Sequence, residues 1–221
     1  MMLAFEYLSK PMMMKNGINY MVIENTLLFR NVLTELMHEN GERFVISENY
    51  VPMDFKKSVF VIKNLLDFEY TDKKLMNKIN AELEATANSS YYQELFEIRS
   101  SLFGLGEKLT FEYDFDYSIT DEIDTSSIIK LLSFHPRDDS GNMLEKLILY
   151  LKLLKKYMNV RLFICCHLTL YFQDTEIHEL TGALTAMDIS LVDFENTDQY
   201  IAERKNIVLI DKDLCEVIDN E

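Results

Sequence analysis

The sequence predicts an α/β protein in which a mainly parallel sheet, made from both ends of the chain, carries an inserted helical lobe. Three observations carry this. The C-terminal third alternates apolar strand and helix in "VRLFICC", "DTEIHELTGALTAM", "ISLVDF" and "KNIVLI", and apolar strands separated by helices belong to a parallel sheet covered on both faces. The first 66 residues hold further short strands, "YMVI", "RFVI" and "SVFVI". From residue 67 to residue 157 the apolar period is that of helices. The expected division is therefore an α/β head of residues 1–66 and 158–221 and a helical leg lobe of residues 67–157.

Each element follows from local chemistry. In "PMMMKNGINYMVI" the pair Asn16-Gly17 stands between two β-compatible runs and predicts a hairpin. In "ENTLLFRNVLTELMHENG" Leu27, Leu28, Val32 and Leu36 recur at helical spacing, with Gly41 as the stop. The lobe opens with Thr71 as N-cap and Leu75, Ile79 and Leu83 on one face. After the weak point "NSS", a second helix turns Leu95, Ile98 and Leu102 inward. "TSSIIKLLSF" is a third, and "NMLEKLILYLKLLKKYM" a fourth, with Leu144, Leu147, Ile148, Leu151 and Leu154 as its apolar stripe.

Composition bounds the function. With 221 residues, 48% of them hydrophobic, the chain buries a core without staples. No run approaches a membrane helix, and "MMLAFEYLSK" lacks the basic flank of a signal peptide. Three cysteines without an export signal point to reduced thiols and a cytoplasmic location. The net charge of −15 taken alone argues against nucleic acid, whose binding depends on Lys and Arg releasing counterions.

The residues with chemical capacity divide into weak and open candidates. Cys165, Cys166 and His167 sit together in "RLFICCHLTLYF", but adjacent strand residues face opposite ways, so the two thiols cannot chelate one ion. They read as a buried core strand. His38, His135, His167 and His178 lie apart with no H-E-x-x-H and no matching carboxylate or nucleophile motif. The first strand-to-helix junction, "YMVIENTLLF", lacks the glycines and lysine of a phosphate loop and carries Glu24 where phosphate would sit, so no nucleotide is expected.

Two clusters stay open. "FEYDFDYSITDEID" gathers Glu112, Asp114, Asp116, Asp121, Glu122 and Asp124 without one cation. Such hard oxygen donors suit Ca²⁺, and a solvated acidic loop is the alternative. Lys73, Lys74 and Lys78 group on the first lobe helix, and Lys152, Lys155 and Lys156 on the last. They form either a soluble face or a phosphate-facing stripe to which Lys56, Lys57 and Lys63 add.

With these pieces placed, the chain resembles, nearly end to end, the CRISPR-associated adaptation protein family of type II-A systems. The resemblance is carried by "YMVIENTLLFRNVLTEL", "LDFEYTDKKLMNKINAELE", "LTFEYD", "RLFICCHLTLYFQDTEIHEL" and "ISLVDFENTDQYIAERKNIVLIDKDL". It implies a P-loop-ATPase-like head with a degenerate nucleotide site and a helical leg. It also implies a homotetrameric ring that encircles double-stranded DNA from its ends, is stabilised by calcium, has no catalysis of its own and serves spacer acquisition. The implied partners are the CRISPR integrase complex and the type II effector nuclease. On this reading lysines lining the ring and Ca²⁺ on the acidic segment reconcile the −15 charge with DNA. The segment after "FEYD" looks longer than in the family, and "CCH" replaces small polar residues. The competing functions are a metal-dependent nuclease using the 112–124 acids and an acidic protein-interaction adaptor.

Overall fold

The structure is a computed structural model that describes residues 1–66, 72–112, 123–134, 142–202 and 206–217. It divides into two compact units, residues 1–68 with 138–221, and residues 69–137.

In the first unit the strands are β1 (Met2–Phe5), β2 (Met12–Met13), β3 (Gly17–Ile23), β4 (Phe44–Glu48), β5 (Val51–Pro52), β6 (Val59–Val61), β7 (Leu162–Cys166), β8 (Ser190–Glu195), β9 (Ile207–Ile210) and β10 (Glu216–Val217). Six of them form one sheet in the order β10-β9-β3-β8-β7-β6, in which every neighbouring pair is parallel except β10 with β9. The other four form an antiparallel sheet in the order β2-β1-β4-β5. The α/β class with a mainly parallel sheet is thus as the sequence predicts.

Both faces of the parallel sheet are covered, which is why its strands read as continuous apolar runs. On one face Met21, Ile23, Leu162, Ile164, Val192 and Phe194 share a core with the antiparallel sheet and with Leu28, Phe29, Val32 and Leu36 of α1 (Thr26–Met37). A short helix, α2 (Phe55–Ser58), leads into β6.

The Asn16-Gly17 hairpin does not form. β2 and β3 enter different sheets, and Gly17 instead opens the central strand with φ +103°. A Cβ there would meet Thr181 and Thr185 at 3.1 Å, so glycine serves both a left-handed backbone and the close approach of a helix.

The second unit holds α3 (Lys73–Ser90), α4 (Tyr92–Phe111) and α5 (Thr125–Leu131). The N-cap of α3 is Asp72, whose carboxylate accepts from Lys74 and Leu75 N–H; Thr71, the expected cap, lies outside the described residues. Leu75, Leu95, Ile128 and Ile129 are buried, and Arg99 ties α4 to the start of α5 through Ile123 O at 2.8 Å and Thr125 Oγ1 at 2.7 Å. Ile98 and Leu102 do not turn inward as their spacing predicts; they are 42% and 38% exposed. Only Tyr91 separates α3 from α4, and both residues of that stripe keep more than a third of their surface exposed.

α6 (Met143–Met158), expected in the helical lobe, groups with the sheet. Its stripe of Leu144, Leu147, Leu151 and Leu154 is buried, and Tyr150 meets Phe60 of β6 edge to face. After β7 come a single turn, α7 (Leu168–Tyr171), and then α8 (Asp174–Ala186), which packs beside β3 and α6. Burying such side chains contributes about 1.5–3 kcal/mol each.

Candidate functional site

The chain leaves β3 for the edge strand β6, works back through β7 and β8, and then crosses β3 to reach β9. The reversal lies between β3 and β8, and in open α/β sheets ligands bind beyond the carboxyl ends of strands at such a point. Two groups of residues stand there.

The first is the β3–α1 junction. Glu24 N–H bonds Ile210 O at 2.9 Å, so the backbone is tied to β9. Asn25 caps α1 by accepting from Leu28 N–H at 3.0 Å and donates to Lys212 O at 2.8 Å. A phosphate cradle needs consecutive free N–H groups on a glycine-rich turn; this short junction is capped by its own side chain instead.

The second group lies across β7 and β8. β7 ends at Cys166, and His167 turns the chain with φ 60°. The first N–H groups of α7 then need acceptors, and β8 provides them. Leu168 N–H donates to both oxygens of Asp193 at 3.3 and 3.2 Å. Thr169 donates to Glu195 Oε1 from its N–H at 3.2 Å and its hydroxyl at 2.7 Å. His167 Nδ1 lies 2.9 Å from Glu195 Oε2, and the ring packs on Phe29 with centroids 5.3 Å apart.

Asp193 is 0% and Glu195 2% exposed. Burial, followed by the neighbouring Glu195 charge, pushes the Asp193 carboxyl well above its ordinary pKa. Burial also opposes the Glu195 charge, but hydrogen bonds from His167, Thr169 and Asp193 outweigh it and hold that pKa below the ordinary value. The two carboxyls are thus shifted in opposite directions, Asp193 up and Glu195 down. The sequence did not reveal this cluster, because His167 and Glu195 are 28 residues apart. The legible signal was Asp193 and Glu195 at alternate positions of an apolar strand, which places both on one face.

The cysteines are core, as read from the sequence. Cys165 is fully buried on the Asp193 side, with Sγ 3.5 Å from Asp193 Oδ1, while Cys166 packs into the core of the other face. Burial first, then the Asp193 charge, pushes the Cys166 thiol up to about 12.

The expected basic residues behave differently from one another. On α3, Lys73, Lys74 and Lys78 are exposed and make no ion pair with a described residue; Lys74 and Lys78, four apart, share a face. Lys152 of α6 is likewise exposed and unpaired among the described residues. Lys155 is held inward, its Nζ donating to Met187 O and to Asp188 O at 2.8 Å. Lys156 Nζ lies 3.0 Å from Tyr157 Oη. Elsewhere Lys57 and Lys63 bridge to Asp54 and Glu39 at 3.7 and 2.8 Å.

Of the six expected metal ligands, Asp114, Asp116, Asp121 and Glu122 lie outside the described residues. Glu112 is the exposed C-cap of α4. Asp124 is the N-cap of α5, accepting from Ser127 N–H and from Ser126 Oγ at 3.0 Å, and these bonds hold its pKa below the ordinary value. Both carboxylates have the hard-oxygen chemistry that calcium takes. Among the described residues no three potential ligands gather into a metal site, so a calcium site here depends on the four acids outside them.

No helix among the described residues is long and apolar enough to cross a membrane. No curated protein matches the chain. A solved structure, a putative ABC transporter ATP-binding protein from Pyrococcus furiosus, aligns over 98% of this chain and 100% of its own at TM-score 0.42 and 8% identity. That likeness is loose, and the fold class rests on the strand order itself. The family model described as CRISPR-associated protein (Cas_Csn2) matches residues 37–214, well over half of the chain. The chain belongs to the CRISPR-associated Cas_Csn2 family, the type II-A adaptation family that its segments resemble.

Proposed function

We propose that this CRISPR-associated protein binds double-stranded DNA ends without sequence preference. It does so as a calcium-stabilised homotetrameric ring that supports spacer acquisition beside the integrase complex and the type II effector nuclease, with no catalysis of its own. The observation that carries the DNA part is the set of exposed lysines, Lys73, Lys74, Lys78 and Lys152, that have no carboxylate partner among the described residues of a chain with net charge −15. In so acidic a protein, unpaired lysines are the groups left to meet phosphate. Contacts of that kind fix position and carry no base information. Family membership supports the adaptation role. The capped β3–α1 junction, with Glu24 beside it, supports a head that takes no nucleotide.

Ca²⁺, when bound, would supply fixed positive charge to the acidic segment; Glu112 and Asp124 are its described donors. The test compares binding to linear duplex DNA and to the same DNA closed into a circle, each with calcium and then with chelator. Retention on linear DNA alone, lost with chelator, is the expected result. Equal binding to both forms overturns the ring, and binding unchanged by chelator overturns the calcium requirement. No binding to either form favours the acidic adaptor, and cleavage of end-labelled DNA with Mg²⁺ or Mn²⁺ favours the nuclease.

A further inference from the structure

α8 does not lie evenly on the sheet. Its second half is seated on β3, where a Cβ at Gly17 would stand 3.1 Å from both Thr181 and Thr185. Over the preceding turns, from Asp174 to Thr181, a cleft of about 420 Å³ opens between helix and strand. Protein interiors pack like organic crystals, and one water takes about 30 Å³, so this space is no packing flaw. It has the size of a small-molecule site, which sets a few placed polar groups among apolar walls.

The walls are held by bonds already made. Ile18 and Tyr20 of β3 form the floor and are 4% and 5% exposed. Tyr20 N–H donates to Asn206 O at 2.9 Å, which fixes the far wall. That wall continues in Ala202, beside Ile201, which is buried and donates its N–H to Asp198 O at 3.1 Å. On the helix side Ile177 supplies apolar surface. Asp174 and His178, four residues apart, share one helix face at the rim.

Charge selects the ligand. No Lys or Arg is among the described lining residues, and Asp174 is their one carboxylate. A helix N-terminus ordinarily draws anions. The first turn of α8 already carries Asp174 and Glu176, however, and Glu176 Oε2 accepts from Gln173 N–H at 2.9 Å. A further negative charge is opposed there, and a positive one is drawn to Asp174. A second cleft of about 610 Å³ adjoins the first at Asp174 and Ala202, leaving room for such a group at the rim.

We propose that the cleft between α8 and β3 binds a small, flat, apolar molecule that carries a cationic group. Its ring lies against Ile18, Tyr20 and Ile177, and its charge sits at Asp174. The site stands whether or not the chain binds DNA.

Methyl NMR of the whole chain tests this, with benzamidine, benzyl alcohol and benzoate as cationic, neutral and anionic probes of one shape. Ile18, Ile177 and Thr181 methyls should shift to saturation, while Ile164 and Ile210 stay still. Benzamidine should bind tightest and benzoate weakest. Asp174→Asn, at an exposed position, should weaken benzamidine by roughly two- to fivefold, as an exposed charge pair does, and leave benzyl alcohol unchanged. Ile177→Trp should fill the cleft and abolish all three sets of shifts; should that variant fail to fold, Asp174→Asn decides. Shifts that never saturate, or that spread evenly over exposed methyls, overturn the site. Benzoate binding as tightly as benzamidine, or benzamidine indifferent to Asp174→Asn, overturns the cationic ligand.

Discussion

Lys155 reaches from α6 to the end of α8 and donates to the carbonyl oxygen of Asp188 at 2.8 Å, and also to that of Met187. A cation at a helix C-terminus satisfies acceptors that the helix leaves over and complements its dipole. Lys155 is therefore a packing lysine inside a group that the sequence presents as one stripe.

The first prediction separates it from its neighbour. Lys155→Met should destabilise the protein by about 1–2 kcal/mol through unpaired carbonyls, lowering Tm while leaving DNA affinity of the folded fraction unchanged. Lys152→Glu should leave Tm unchanged and weaken DNA binding. Thermal melts and binding curves for both variants check this, and the opposite pattern would exchange the two roles.

On α3, each lysine that meets a phosphate adds about 0.9 to the slope of log affinity against log salt. Replacing Lys73, Lys74 and Lys78 together by Gln should flatten that slope by up to roughly three contacts' worth. A slope identical to wild type removes α3 from the DNA surface.

Gly17→Ala places a Cβ 3.1 Å from Thr181 and Thr185 at φ +103°. A left-handed backbone and a crowded site both count against alanine, so a loss of about 1–3 kcal/mol is expected. For a chain of this size that is a fall in Tm of a few degrees per kcal/mol, read by calorimetry.

Asp124→Ala should fray the start of α5, because Ser127 N–H and Ser126 Oγ lose their acceptor. Since the Asp124 pKa is lowered by those bonds, the cap is intact above its unfolded value and is lost as pH falls through its folded value. Exchange at Ser127 reports both effects. If the same carboxylate ligates calcium, adding the ion should protect α5 in the wild type and not in Asp124→Ala.

Thiol labelling should find Cys215, which is exposed, before Cys166, whose pKa is pushed up to about 12, and Cys165 only on unfolding. The thiolate is the reactive form. Rapid labelling of Cys165 in the native protein would show that β7 opens.

Where one force dominates a segment, the sequence is legible. β7, the Val192 and Phe194 face of β8 and the stripe of α6 are apolar at the period of their own element, and burial does the rest. Asn16-Gly17 misled because glycine answers a tertiary demand, room for α8, that a local turn rule cannot register. Ile98 and Leu102 misled because spacing specifies a face without specifying what covers it. At the carboxyl ends of β7 and β8, His167 looked isolated because only the register Cys166 to Phe194 brings it to Glu195. Thr71, the four acids between Asp114 and Glu122, and His135 fall outside the described residues, so their roles rest on the sequence alone.

The pairing of β3 with β8 and β9 has a consequence for how the chain is made. Gly17 lies opposite Ser190, and Tyr20 opposite Ile207. The central strand thus leaves the ribosome long before either neighbour exists, and it gains its second neighbour only once residue 210 is out. Loop closure over such separations is slow, and an apolar strand with open edges invites wrong partners meanwhile. The antiparallel sheet, completed within the first 52 residues, offers β3 an early apolar surface to rest against. Folding of this protein should therefore be paced by synthesis of its last strands.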